Sequence, residues 1–201
     1  MSNGVRQKIM AATLDLIGER GIGGVSNRAV AKTAQVSLGT LTYHFTSQEE
    51  LLGQALRAFV DDEIDRLSHI ADRVERADVS LQEALELARE SIEERPGRHA
   101  QIAQLELYLH ATRDDGLREA AARCYAAYDR LSTAVLRAIG VSAPERLAPL
   151  LGALIDGLEL RRLAVDDLPV GIAEGLAILV DAMPREPAAR ASAGSIGTSG
   201  H

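Results

Sequence analysis

The chain has 201 residues, a net charge of −7 and one cysteine, Cys124, with 46% apolar and 25% charged residues. That is an ordinary balance for a globular protein with room for one or two domains and a sizeable core. It excludes an internal disulfide, and no apolar run approaches the ~18 residues a membrane span needs.

The N-terminal stretch is mixed around Arg6 and Lys8, without a signal-peptide pattern, so a cytoplasmic protein is expected. The five histidines are scattered and no group stands at zinc-ligand spacing, so no metal is expected. Neither a phosphate-cradling glycine loop nor a Gly-x-Ser-x-Gly elbow is present, so no cofactor and no catalytic residues are expected. The charge is uneven. Residues 1–46 hold five basic residues against two acidic ones, a balance of +3, which leaves −10 on the rest. A basic head on an acidic body suggests a head that approaches a polyanion.

The periodicity predicts helices throughout. Over residues 4–20, Val5, Ile9, Ala12 and Leu16 share a face and Gly21 offers a C-cap. Ser26 caps a short helix to Ala34, and after the break Gln35–Val36–Ser37 a second short helix runs to about Phe45. Overlapping capping boxes, Thr46 with Glu49 and Ser47 with Glu50, open a long helix with Leu52, Leu56, Phe59, Leu67, Ile70 and Val74 on one stripe. Ser80 and Glu83 open the next, to about Glu94, where Pro96 and Gly97 break it. Residues 98–112 resume, Asp114–Gly116 punctuate, and a six-turn helix carries Leu117 to Val135 until Gly140.

Ser142 and Glu145, with Pro144 in the first turn, open a helix bearing Leu147, Leu151, Leu154 and Leu158. After Pro169 the last helix bears Ile172, Leu176, Leu179 and Met183. Both stripes step four, three, four, the spacing of a coiled-coil seam; so apolar a surface is either deeply buried in the monomer or pairs with another chain, and these eight residues are the candidate dimer interface. From Pro184 to His201 the Ala-, Gly-, Ser- and Pro-rich composition predicts disorder.

Two short helices across a tight turn, preceded by a supporting helix, are the ingredients of a helix-turn-helix. Small residues early in the second one (Gly39, Thr40, Thr42) allow close approach to base edges in a major groove. Phe45 is expected to pin its far end inward against Leu41 and Leu52, leaving Tyr43 and His44 to face phosphates.

Residues 5–56 resemble the TetR family of bacterial transcriptional regulators. The resemblance lies in an ordered set: Gly21, Ser26-x-Arg28-x-Val30-Ala31, Val36-Ser37-x-Gly39, Leu41, His44-Phe45 and Leu51-Leu52. It implies an all-α protein of about nine helices, with a three-helix DNA-binding domain over residues 1–50 and its motif at about 26–45. A helical effector-binding and dimerisation domain over 51–183 is expected to follow. The partners it implies are a roughly palindromic double-stranded DNA operator, a second copy of the chain and a small-molecule effector, with no membrane. Ser26, Arg28, Ser37, Leu38, Thr40, Thr42, Tyr43, His44 and Gln48 are the candidate DNA contacts. Two positions depart from the family: Thr42 stands where it usually has Tyr, and Gln48 where it commonly has a phosphate-contacting Lys. In the body, Tyr108, Cys124, Tyr125 and Tyr128 are the polar-tipped residues near apolar stripes and the candidate pocket. The rival readings are a helical sensor or adaptor without specific DNA binding, and an enzyme using Cys124 or His110.

Overall fold

The computed structural model describes residues 2–76, 79–93, 97–165 and 169–184. Among them are nine α-helices and no strand: α1 Ser2–Arg20, α2 Asn27–Thr33, α3 Leu38–His44, α4 Gln48–Val74, α5 Leu81–Glu93, α6 Arg98–Ala111, α7 Asp115–Ala138, α8 Pro144–Ala164 and α9 Ile172–Asp181. The expected disorder over 184–201 lies, apart from Pro184, outside the described residues, as do Glu94 and Pro96, where the helix is expected to end and break.

The caps are where the sequence puts them, with one correction, and the choice left open at the start of α4 is settled. Ser26, Ser37 and Ser47 each accept a hydrogen bond from the backbone N–H three residues on. Ser47, rather than Thr46, therefore caps α4, and the Glu50 carboxylate reaches back to the Thr46 backbone N–H at 2.8 Å and its hydroxyl at 2.6 Å. Those bonds hold the Glu50 carboxyl below its ordinary value. Ser80 and Glu83 make the full reciprocal box. The expected Ser142–Glu145 box does not form. Ala143, in the left-handed region at φ 55°, is the residue before α8, and the Ser142 N–H bonds the Pro184 carbonyl instead.

The break between α2 and α3 is a Schellman turn: the Gln35 N–H bonds Lys32 O and the Val36 N–H bonds Ala31 O, with Gln35 at φ 56°. The same two bonds close α7, where Gly140 takes that position at φ 74°.

The long helices α4 and α7 pack along each other and form the spine. On one side α1 lies against α6 and α4. On the other, α8 packs on α7, α9 packs on α8, and α5 rests on α4 and α7. The core of the head does not stop at the head. Ile9, Ile17, Leu41 and Phe45 belong to one buried cluster with Leu107, Leu117 and Cys124 of the body. A second cluster joins Leu67 and Ile70 of α4 to Leu87 of α5 and Leu131 of α7. The third joins Leu136 and Val141 to Leu151 of α8 and to Met183. This last cluster takes up part of the α8–α9 seam within the protomer. Leu151 and Met183 are buried within the protomer, with Leu147, Leu176 and Leu179 packed against them. The seam closes α8 and α9 onto the C-terminal end of α7, because that end has its own apolar face to cover. Leu154, Leu158 and Ile172 remain half-exposed, while Leu150, Leu160 and Ile178 stand out to solvent.

Candidate nucleic-acid interface and ligand cavity

The outer surface of the head is made by α2 and α3. Leu41 and Phe45 are buried and fix α3 from within, and the Arg6 guanidinium lies 5.5 Å over the Phe45 ring. Phe45 is therefore the pin expected of it. The outward residues are then determined by helical geometry: Leu38, Gly39, Thr42 and Tyr43 are exposed, Thr40 and His44 half-buried. Tyr43 is 83% exposed and meets His44 edge to face at 5.3 Å. Arg28 projects from α2 into solvent.

The hydroxyls are less free than composition suggests. Thr42 Oγ1 donates to Leu38 O or Gly39 O, at 3.2 and 3.1 Å, so outward it can only accept. Thr40 Oγ1 shares a hydrogen with Ser37 Oγ at 2.8 Å. Gln48 donates through Nε2 to the Val25 carbonyl at 2.7 Å, tying the start of α4 to the segment before α2. Only its second amide hydrogen is left to meet a phosphate.

The four body residues picked out from the sequence do not form one pocket. Tyr108 and Tyr125 stack at 4.6 Å beside Cys124, and Tyr125 Oη bonds Asp156 at 3.1 Å. Burial pushes the Cys124 thiol up to about 11 and raises the hydroxyls of Tyr108 and Tyr125 above their ordinary value. From here a polar chain crosses the spine. Gln104 Nε2 donates to Tyr108 Oη at 2.7 Å and approaches Tyr128 Oη at 3.4 Å. The Tyr128 hydroxyl donates to Glu63 Oε1 at 2.5 Å. Arg66 grips the same carboxylate with Nε and Nη2 at 2.9 and 2.8 Å. Glu63 is 3% exposed, a buried charge made tolerable by three donors.

Tyr128 also faces the other way. It is part of the wall of a half-open apolar cavity of about 320 Å³ lined by α4, α5, α7, α8 and α9, the low end of the usual ligand-site range. Leu67, Leu131, Ile155 and Leu176 are typical of that wall, and Tyr108, Cys124 and Tyr125 are not on it.

Sequence reasoning missed the residues that join body to head. Glu106 of α6 accepts from the Ile22 N–H at 3.4 Å, in the turn between α1 and α2. Gly18 of α1 meets His99 of α6 so closely that an added Cβ would lie 2.4 Å from the His99 Cβ. Glu63 was legible in principle, as a carboxylate on the apolar stripe Phe59, Glu63, Leu67, Ile70. Gly18, Glu106 and Gln104 carry no such mark. Among the described residues no group of three or more His, Cys, Asp and Glu is placed to hold a metal, and no helix is long and apolar enough to cross a membrane.

Residues 9–55 match the family model described as bacterial regulatory proteins, tetR family. Residues 79–186 match the one described as tetracyclin repressor-like, C-terminal domain. The chain is 43% identical over 68 residues to the HTH-type transcriptional regulator PksA of Bacillus subtilis, a match that covers 34% of this chain and 33% of PksA. Solved structures extend the likeness over the whole body. A transcriptional regulator from Rhodococcus sp. Rha1 is 26% identical with a TM-score of 0.70, over 90% of this chain and 99% of that one. The multidrug binding protein EbrR, complexed with ethidium, is 30% identical with a TM-score of 0.62, over 90% and 99%. With one family domain over its head and another over more than half of its length, the chain belongs to the TetR family of bacterial regulatory proteins.

Proposed function

We propose that this chain is a cytoplasmic, homodimeric transcriptional repressor whose grip on a roughly palindromic operator is set by a small molecule held in the helical body. Residues 1–50 are the reading head and residues 51–183 the effector and dimerisation body. The observation that carries the reading is α3. It is a capped helix held from behind by Leu41 and Phe45, with Leu38, Gly39, Thr42 and Tyr43 turned outward. This is the build of a recognition helix, and Arg28 on α2 adds a cation beside it. Exposed Leu150, Leu160 and Ile178 on α8 and α9 support pairing with a second copy, which would present two such helices ~34–36 Å apart.

Regulation follows from the joins. A ligand beside Tyr128 touches a residue bonded to Glu63 of α4, four turns from the start of that helix at the head. On the opposite flank α6 holds the α1–α2 turn through Glu106. A ligand that favours one arrangement of α4 and α6 by ~1–3 kcal/mol shifts operator affinity accordingly. That EbrR is a multidrug binding protein supports a ligand-bearing body here.

The test is capture of fragmented genomic DNA by the purified chain at near-physiological salt, followed by sequencing. Enrichment of fragments sharing a two-fold-symmetric site is the expected result. Uniform recovery, with or without added small molecules, would reject the repressor and favour a sensor or adaptor without specific DNA binding.

A further inference from the structure

The apolar cavity says more about its occupant than that it is small. Among the described residues its wall carries four polar ones: Arg89, Ser91, Tyr128 and Ser132. Three are engaged by the protein. Arg89 is forked onto Glu86 through Nε at 3.3 Å and Nη2 at 2.5 Å. Ser91 Oγ donates to Ala88 O at 2.7 Å, and Tyr128 Oη donates to Glu63. Ser132 Oγ alone of the four makes no hydrogen bond to a described residue.

The charges on the described wall favour an uncharged occupant over an ion of either sign. No Asp or Glu is on the described wall, so a cation entering it meets no counter-charge. The carboxylate behind Tyr128 is neutralised by the fork from Arg66. On the described wall an anion meets Arg89, whose charge Glu86 answers. A desolvated ion without a partner is strongly disfavoured, whereas aliphatic walls favour apolar surface.

We propose that the cavity binds an uncharged, mostly apolar molecule with a single hydrogen-bonding group, and that Ser132 is that group's partner. The proposal rests on the effector reading above and narrows it to a chemical class. It sets this body apart from that of EbrR, whose bound ethidium is a cation.

The first measurement uses the DNA-free full chain and N-phenyl-1-naphthylamine, an uncharged fluorescent probe. Saturable binding of one probe per protomer is expected. 1-Octanol should displace it, and octanoate at pH 8 or ethidium should do so at least about ten-fold less well. No saturable binding, or displacement by either ion as good as by octanol, overturns the proposal. Ala88→Phe, filling the wall on α5, should abolish probe binding, and unchanged binding to that folded variant would place the site elsewhere. If Ala88→Phe loses its helical circular dichroism, Ala177→Phe at the exposed α9 side makes the same test. Ser132→Ala should weaken octanol about five-fold as a competitor and leave naphthalene, which carries no hydrogen-bonding group, unchanged; unchanged octanol binding removes Ser132 from its role. Operator affinity is read separately. If compounds of this class bind and none alters it, the effector reading fails while the cavity's chemistry stands.

Discussion

Tyr128→Phe removes one oxygen atom at the point where the cavity wall meets the spine. The hydroxyl donates to Glu63 Oε1 at 2.5 Å, and Glu63 is 3% exposed. A hydrogen bond to a buried charged group contributes ~1.5–3 kcal/mol. The loss is not the whole desolvation of the carboxylate, because Arg66 keeps its two bonds at 2.9 and 2.8 Å. Gln104 is not orphaned either, since its amide still bonds Tyr108 Oη at 2.7 Å. The expected cost is therefore about 2 kcal/mol. For a chain of this size that is a fall of about 4–8 °C in Tm. Urea and thermal unfolding should be compared at one protein concentration, because the stability of the proposed dimer depends on it. Tyr125→Phe is the control. Its hydroxyl bonds Asp156 at 3.1 Å in a part-exposed setting, and its loss should cost less than about 1 kcal/mol. If Tyr128→Phe is as mild as Tyr125→Phe, the Glu63 carboxylate does not depend on that hydroxyl, and the proposed route from cavity to α4 fails.

Arg28→Ala should weaken operator binding by ~1–3 kcal/mol if Arg28 reads a base, and an equal loss on random DNA would mean phosphate contact alone. Gly18→Ala forces a methyl against His99 of α6, whose Cβ would lie 2.4 Å away, and overpacking of this kind costs ~1–3 kcal/mol in urea unfolding. Gln35→Gly should stabilise the folded chain by ~1 kcal/mol, because the left-handed turn residue at φ 56° then loses its Cβ conflict; no gain in Tm would show the strain is absent. Cys124 should stay unreactive to a thiol-disulfide reagent at pH 8 until denaturant is added, since the side chain is fully buried and burial pushes its thiol up to about 11.

The parts of this protein that were legible in its sequence are those set by local chemistry. Ser26, Ser37, Ser47 and Ser80 announce helix starts because the serine oxygen satisfies an orphan N–H three residues on, whatever the tertiary structure does. Gly140 announces an end for a similar reason. Gln35 shows the limit: the same turn, built from the same two bonds, is closed by a residue whose identity gives no warning. The apolar seam of α8 and α9 was legible as a pattern but not as a destination. A four-three-four stripe looks the same whether it meets another copy or the protomer's own α7, and Leu151 and Met183 meet their own chain.

What periodicity conceals most completely is the link between the cavity and the head. Tyr128 occupies an ordinary helical position, and only the fold gives it one face on the cavity and a hydroxyl on Glu63. Glu63 lies 15 residues beyond the first residue of α4, so a helix that carries it inward cannot leave the head unaffected unless the helix bends. The head itself resists independent motion, since Phe45 and Leu41 share a buried cluster with Leu107 and Cys124. Displacing α4 therefore has to be matched at α1 and α6, where Gly18 and Glu106 leave little slack. A close-packed junction of this kind responds by shifting between packed arrangements rather than by yielding locally, which is the property a ligand-controlled DNA-binding head requires.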